Sequence, residues 1–115
     1  MIRDYGDYIQ DILNSALEVE EFVRGYSIER FIGDRKTINA VVRSIEVIGE
    51  AAKNVSEQIK AKYPQIDWKA MAGMRDKLIH EYFGVDPEIL WKVIKEDIPP
   101  MLPLLKQMLG ELPKI

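Results

Sequence analysis

Cysteine is missing from all 115 residues, so the chain holds neither a disulfide framework nor a thiolate metal site. That fits a reducing compartment such as the cytoplasm. Histidine occurs once, at His80, and a zinc site built on several imidazoles is therefore excluded. The seven glycines are scattered singly, with no Gly-rich phosphate loop. No apolar run approaches the roughly 20 residues of a membrane span; Ile98 to Leu105 is apolar but short, and it carries three prolines. Met1 to Gln10 is polar and acidic and does not read as a signal peptide. Basic charge is also in short supply. Sixteen Lys and Arg face nineteen Asp and Glu, a net charge of −3, so contact with nucleic acid must come from a local patch. A general RNA-coating role is disfavoured on that ground.

Strand alternation, internal repeats and low-complexity tracts are absent as well, and helical periodicity fills the space they leave. Tyr5, Tyr8, Ile9, Ile12, Leu13, Ala16 and Leu17 fall three and four apart, which predicts a first helix from about Arg3 to Phe22 or Val23, stopped with the help of Gly25. Ser27 is placed to cap a short turn through Phe31 that ends at Gly33. A long helix starts near Asp34 and carries Ile38, Val41, Val42, Ile45, Ile48, Ala52 and Val55. It either ends near Asn54 or bends at Ser56 and runs to Lys62, where Tyr63-Pro64 stops it. A further helix spans about Met71 to Phe83, with a turn from Asp67 ahead of it. Asp86-Pro87 reads as an N-cap with proline at the first helical position. The last helix carries Ile89, Leu90, Val93 and Ile94, breaks at Pro99-Pro100 and resumes from Met101 to Leu109. The expected architecture is one all-α domain over residues 1–115, a bundle of about four or five main helices.

Chemistry concentrates in Met74-Arg75-Asp76-Lys77-Leu78-Ile79-His80-Glu81-Tyr82-Phe83-Gly84. A guanidinium that does not deprotonate, an imidazole that titrates near neutrality and a phenol fall within about two helical turns. These groups suit a phosphodiester, which needs a fixed positive charge for its oxygens and a group that passes protons. Spacing also limits the reading. Asp76 and His80, four apart, share a helix face, whereas Arg75 and His80 diverge by roughly 140° at 100° per residue. One helix does not present Arg75 and His80 as a tight patch, so they must flank a groove or be completed by a second subunit. From spacing alone the commoner reading is an ordinary Asp76–His80 surface pair beside a half-buried Tyr82. On the long helix, Arg43, Glu46 and Glu50 occupy related turns and read singly as a solvated charged face. Gly49, costing about 1 kcal/mol relative to alanine inside a helix, points to close helix packing within the bundle or across a dimer. Glu96-Asp97 beside Ile98-Pro99-Pro100 reads as a helix end rather than a magnesium site.

The pattern Arg75-x4-His80-x-Tyr82 resembles the motif of the HepT toxins in the HEPN superfamily. Other stretches extend the resemblance in the family's order: Asp34-Arg35-Lys36-Thr37, Arg43-Ser44-Ile45-Glu46-Val47-Ile48-Gly49-Glu50-Ala51-Ala52, Tyr63-Pro64-Gln65-Ile66-Asp67-Trp68 with Asp67 where proline is usual, His80 to Asp86, and Glu96-Asp97-Ile98-Pro99. The resemblance implies a HEPN-type helical bundle that dimerises, and a metal-independent endoribonuclease without a cofactor. It implies that Arg75 and His80 are catalytic with Asp76 in support, and that the protein is the toxin of a type VII toxin–antitoxin pair. The implied partner is an MntA-like minimal nucleotidyltransferase that silences the toxin by transferring AMP to Tyr82. The alternative, from a different class, is a non-catalytic binding or regulatory subunit of that nucleotidyltransferase.

Overall fold

The computed structural model describes residues 5–80 and 86–111; within its helices the side chains of Tyr5, Arg75 and residues 77–80 are not described. Among the described residues there is no strand. Helix α1 (Tyr5–Phe22) is followed by a turn that closes at Gly25, whose φ of +77° is the left-handed conformation that glycine adopts without a Cβ penalty. Its buried stripe is Ile9, Ile12, Leu13, Ala16, Val19 and Val23. Leu17, expected in that stripe, is instead exposed at 39 %: the inward face drifts past it to Val19.

Capping fixes the next two helices. In α2 (Ile28–Ile32) the Ser27 hydroxyl accepts the Arg30 N–H at 3.2 Å, and Gly33 closes the C-terminus. Helix α3 (Arg35–Asn54) is capped by Asp34, whose Oδ1 accepts the Thr37 N–H at 3.1 Å while its Oδ2 accepts the Thr37 hydroxyl at 2.7 Å. Tyr26 from the preceding turn donates its hydroxyl to the same Oδ2 at 2.7 Å. The Asp34-to-Thr37 segment is thus a helix start braced by an aromatic latch.

Helix α3 is the central helix, packed on α1 along one flank and on α5 (Trp68–His80) along another. It buries Val41, Ser44, Ile45, Ile48, Gly49, Ala51 and Ala52. Gly49 is therefore buried within the chain itself. Of the two expected courses, the helix takes the ending near Asn54, and a separate short helix follows the bend. Val55 turns extended, Ser56 caps α4 (Glu57–Lys62) through the Ile59 N–H, and Tyr63 ends it.

Asp86 caps α6 (Pro87–Lys92), with Pro87 in the first turn. The expected break at Pro99-Pro100 does not occur. Helix α6 passes through a π turn, Val93–Asp97, directly into α7 (Ile98–Glu111). The Ile98 N–H bonds to the Val93 carbonyl, five residues back. This wider turn places Pro99 and Pro100 in the first turn of the next α segment, where their missing N–H groups have no required partner. Ile94, Ile98, Met101, Leu105 and Met108 stay buried on one side throughout, and α7 lies against α1. The apolar stripe carries the helix across its prolines. Phe31 of α2, fully buried, meets Trp91 of α6 with ring centroids 5.2 Å apart, closing the far end of one continuous core.

Candidate active site

Helix α5 carries the Arg75-to-His80 segment, and its first half is firmly seated. Asp67 Oδ1 accepts the Ala70 N–H at 2.9 Å, which caps the helix three residues before the expected start at Met71. Trp68 is buried and donates its indole N–H to the Tyr63 carbonyl at 3.1 Å. Ile66 and Met71 are buried beside it. The Tyr63-to-Trp68 segment is an elbow that fixes where α5 begins.

Beyond Met71 the described side chains are less buried. Ala72 and Met74 are half-buried and Gly73 is exposed, with no atom within 4 Å of where a Cβ would stand. Arg75, Asp76 and His80 all fall within the helical span, so the divergence of roughly 140° between positions 75 and 80 holds for the backbone that carries them. Tyr82 and the end of the expected helix at Phe83 lie outside the described residues. The described group among these candidates is Asp76. Its Oδ1 accepts a hydrogen bond and ion pair from Lys53 Nζ at 2.5 Å, with the two side chains 46 % and 36 % exposed. The bridge ties the last turn of α3 to the second half of α5.

Lys53 was not among the residues that the sequence pointed to. A lysine in the last turn of a helix ordinarily needs no explanation beyond the helix dipole. Nothing local shows which carboxylate, 23 residues on, it will meet.

Among the grooves that the described residues line, two beside these helices carry acidic groups. Between α1 and α3 a groove of about 440 Å³ is lined by Tyr8, Asp11, Arg43, Glu46 and Glu50 among others. The Arg43, Glu46 and Glu50 turns therefore face a concavity on the α1 flank. Between α5 and α7 a groove of about 280 Å³ has Met71, Met74 and Met101 on its walls, with Asp67, Glu96 and Asp97 at its rim. Carboxylates in both make them poor tracks for a polyanion. Glu96 and Asp97 belong to the π turn, not to a helix end. Among the described residues no group of three or more His, Cys, Asp or Glu is placed to hold a metal ion. No described helix is long and apolar enough to cross a membrane.

Comparison with known proteins agrees with the motif. A family model described as "Ribonuclease HepT-like" matches residues 12–108, from α1 to α7. A Thermococcus cleftensis protein named "Probable ribonuclease HepT" is 52 % identical over 99 residues, covering 86 % of this chain and 90 % of that one. Relatives named "Putative RNase" are 44 % identical in Methanocaldococcus jannaschii (97 residues; 84 % and 80 % of the two chains) and in Caldanaerobacter subterraneus (102 residues; 89 % and 91 %). No solved structure matches the chain.

Proposed function

The chain belongs to the HepT-like ribonuclease family, and from that membership we propose that it is an endoribonuclease that cuts RNA without a metal ion, the toxin of a toxin–antitoxin pair. The observation that carries this reading is the family match over residues 12–108, which takes in the whole of Arg75 to Tyr82. Helix α5 supports it by carrying positions 75, 76 and 80 on one element.

The chemistry follows from the residue types. A ribose 2′-hydroxyl gives its proton to one His80 imidazole, and its oxygen attacks the adjacent phosphorus. The bond from phosphorus to the 5′-oxygen then breaks, and that oxygen takes a proton from an imidazolium. The products are a 2′,3′-cyclic phosphate and a 5′-hydroxyl. Arg75 balances charge on the phosphoryl oxygens as it builds up. One chain supplies a single histidine, so a homodimer that places two α5 helices across one cleft divides the acid and base roles between His80 and its symmetry mate. Asp76 supports the site as an acceptor one turn before His80.

The test is cleavage of RNA by purified protein in EDTA, with mapping of the ends produced. His80→Ala and Arg75→Ala should each lower the rate by about 10²- to 10⁴-fold without loss of helical content. A strict need for magnesium, or full activity in the His80 variant, overturns the reading in favour of a non-catalytic subunit or a different nuclease mechanism.

A further inference from the structure

We infer that Lys53 is a positioning residue of the nuclease site: through Asp76 it holds the second half of α5 in the register against α3 that cleavage requires. The inference rests on the proposal that this chain cuts RNA.

Four observations converge on it. The Lys53–Asp76 bridge joins two packed helices, whereas the Lys60–Glu57 and Lys92–Glu96 pairs are three and four residues apart along one continuous helical run. It lands on the residue next to Arg75 and one helical turn before His80. A pair this exposed adds little to global stability, so its place in the fold matters more than its energy. The fully buried side chains described in α5 lie in its first half. Trp68 and Met71 fix the first half in the core, and the helix then passes through Gly73, an interior glycine in open space.

Glycine weakens a helix relative to alanine by widening what the backbone can adopt. Gly73 is therefore a soft point between the seated half of α5 and the half that carries the motif. The bridge spans it. With Lys53 attached to Asp76, rotation or bending at Gly73 is opposed from α3, and the motif positions keep their aim. Without the bridge, the motif half is held by Met74 and by whatever the remaining side chains of that half contribute. Small losses of aim are costly in such a site, where displacement of a group by about 1 Å can lower a rate by about 100-fold.

The experiment uses the full chain with wild type, Lys53→Met, Lys53→Arg, Asp76→Asn and the Lys53→Met/Asp76→Asn double variant, each assayed for RNA cleavage. Lys53→Met should lower kcat by about 10- to 100-fold with KM for RNA within about twofold of wild type. Lys53→Arg, which keeps the charge and a donor, should retain most of the activity. The double variant should be no worse than Asp76→Asn, because each substitution removes the same contact. Adding Gly73→Ala to Lys53→Met should recover part of kcat by stiffening the soft point. Amide exchange over residues 74–80 should quicken in Lys53→Met while that over residues 12–52 does not.

A raised KM with unchanged kcat overturns the inference, since Lys53 would then be gripping RNA directly. Multiplying effects in the double variant, or an unchanged Lys53→Met, overturn it as well. Absence of cleavage by wild type brings down the nuclease reading instead, and the exchange measurement then shows by itself whether the tether exists.

Discussion

Tyr26 and Asp34 are joined by a 2.7 Å hydrogen bond from phenol to carboxylate, which locks the turn after α1 to the start of α3. The Arg30 guanidinium lies over the Tyr26 ring, 4.0 Å from its centroid, and adds positive charge beside the carboxylate. The Tyr26 hydroxyl, with the Thr37 N–H and hydroxyl after it, pulls the Asp34 carboxyl from its ordinary 3.8 down to about 2. Because the folded value is the lower one, Asp34 stabilises the fold fully at pH above about 4. That contribution is lost as pH falls from about 4 through about 2. Tyr26→Phe keeps the ring but removes the leading donor, so the variant should melt below wild type at pH 7 and converge with it near pH 2. Thermal melts at both values decide this; a gap that stays constant with pH would show that the carboxylate is not involved.

Gly73 gives a prediction of opposite sign. No atom stands within 4 Å of a Cβ there, and the residue is exposed inside α5. Gly73→Ala should stabilise the protein by about 0.5–1 kcal/mol, from helix propensity and from the lowered entropy of the unfolded chain. Urea unfolding measures it. A loss of stability would mean that the space is used by something that the isolated chain does not contain.

What the sequence made legible was decided by range. Ser27 and Asp86-Pro87 act on backbone groups two or three residues away, so their capping roles can be read along the chain and appear as expected, as does the helix start near Asp34. Pro99-Pro100 misled for the complementary reason. The local rule against proline inside a helix is sound, but the buried stripe from Ile94 to Met108 favours continuing, and a π turn reconciles the two. Leu17 fell outside the core because which edge of a wide apolar face turns inward depends on the partner helix, not on α1 itself. Lys53 and Asp76 meet through the packing of α3 on α5, a relation between positions 23 apart that no periodicity encodes. The chemistry of Arg75, His80 and Tyr82 was visible as residue types and spacing, and the divergence of Arg75 from His80 around the helix was visible with it. The state of assembly was not, because one sequence carries no record of symmetry.

That divergence underlies the prediction about assembly. Positions 75 and 80 face roughly 140° apart on α5, so one helix cannot close a site around a phosphate with both. A two-fold homodimer that includes α5 or α3 in its interface resolves this, since each cleft wall then draws on both copies. Light scattering should give the mass of two chains at micromolar concentration. Activity should fall on dilution in step with dissociation. Monomer throughout, with cleavage intact, would require Arg75 and His80 to work from one chain.

The last prediction concerns control. Arg75 and Tyr82 are seven residues apart, two helical turns, so a helical path between them puts both on the same side. Transfer of AMP from ATP to the Tyr82 phenol forms a bond from the phenolic oxygen to the α-phosphorus, releases pyrophosphate and leaves a phosphodiester with one negative charge. That group is the same kind of anion as an RNA linkage. It can pair with Arg75, or with a basic residue of the second copy, in a charge-assisted hydrogen bond, while the attached base fills space that substrate needs. Inhibition would then come from mimicry of bound RNA rather than from unfolding. Tyr82→Phe should keep much of the cleavage activity yet resist silencing by the nucleotidyltransferase partner that the family resemblance implies. Intact mass after incubation with that partner and ATP should show an AMP-sized increment in wild type and none in Tyr82→Phe. An increment that survives in Tyr82→Phe moves the modified residue elsewhere, and an adduct on Tyr82 that leaves cleavage unchanged removes mimicry as the mechanism.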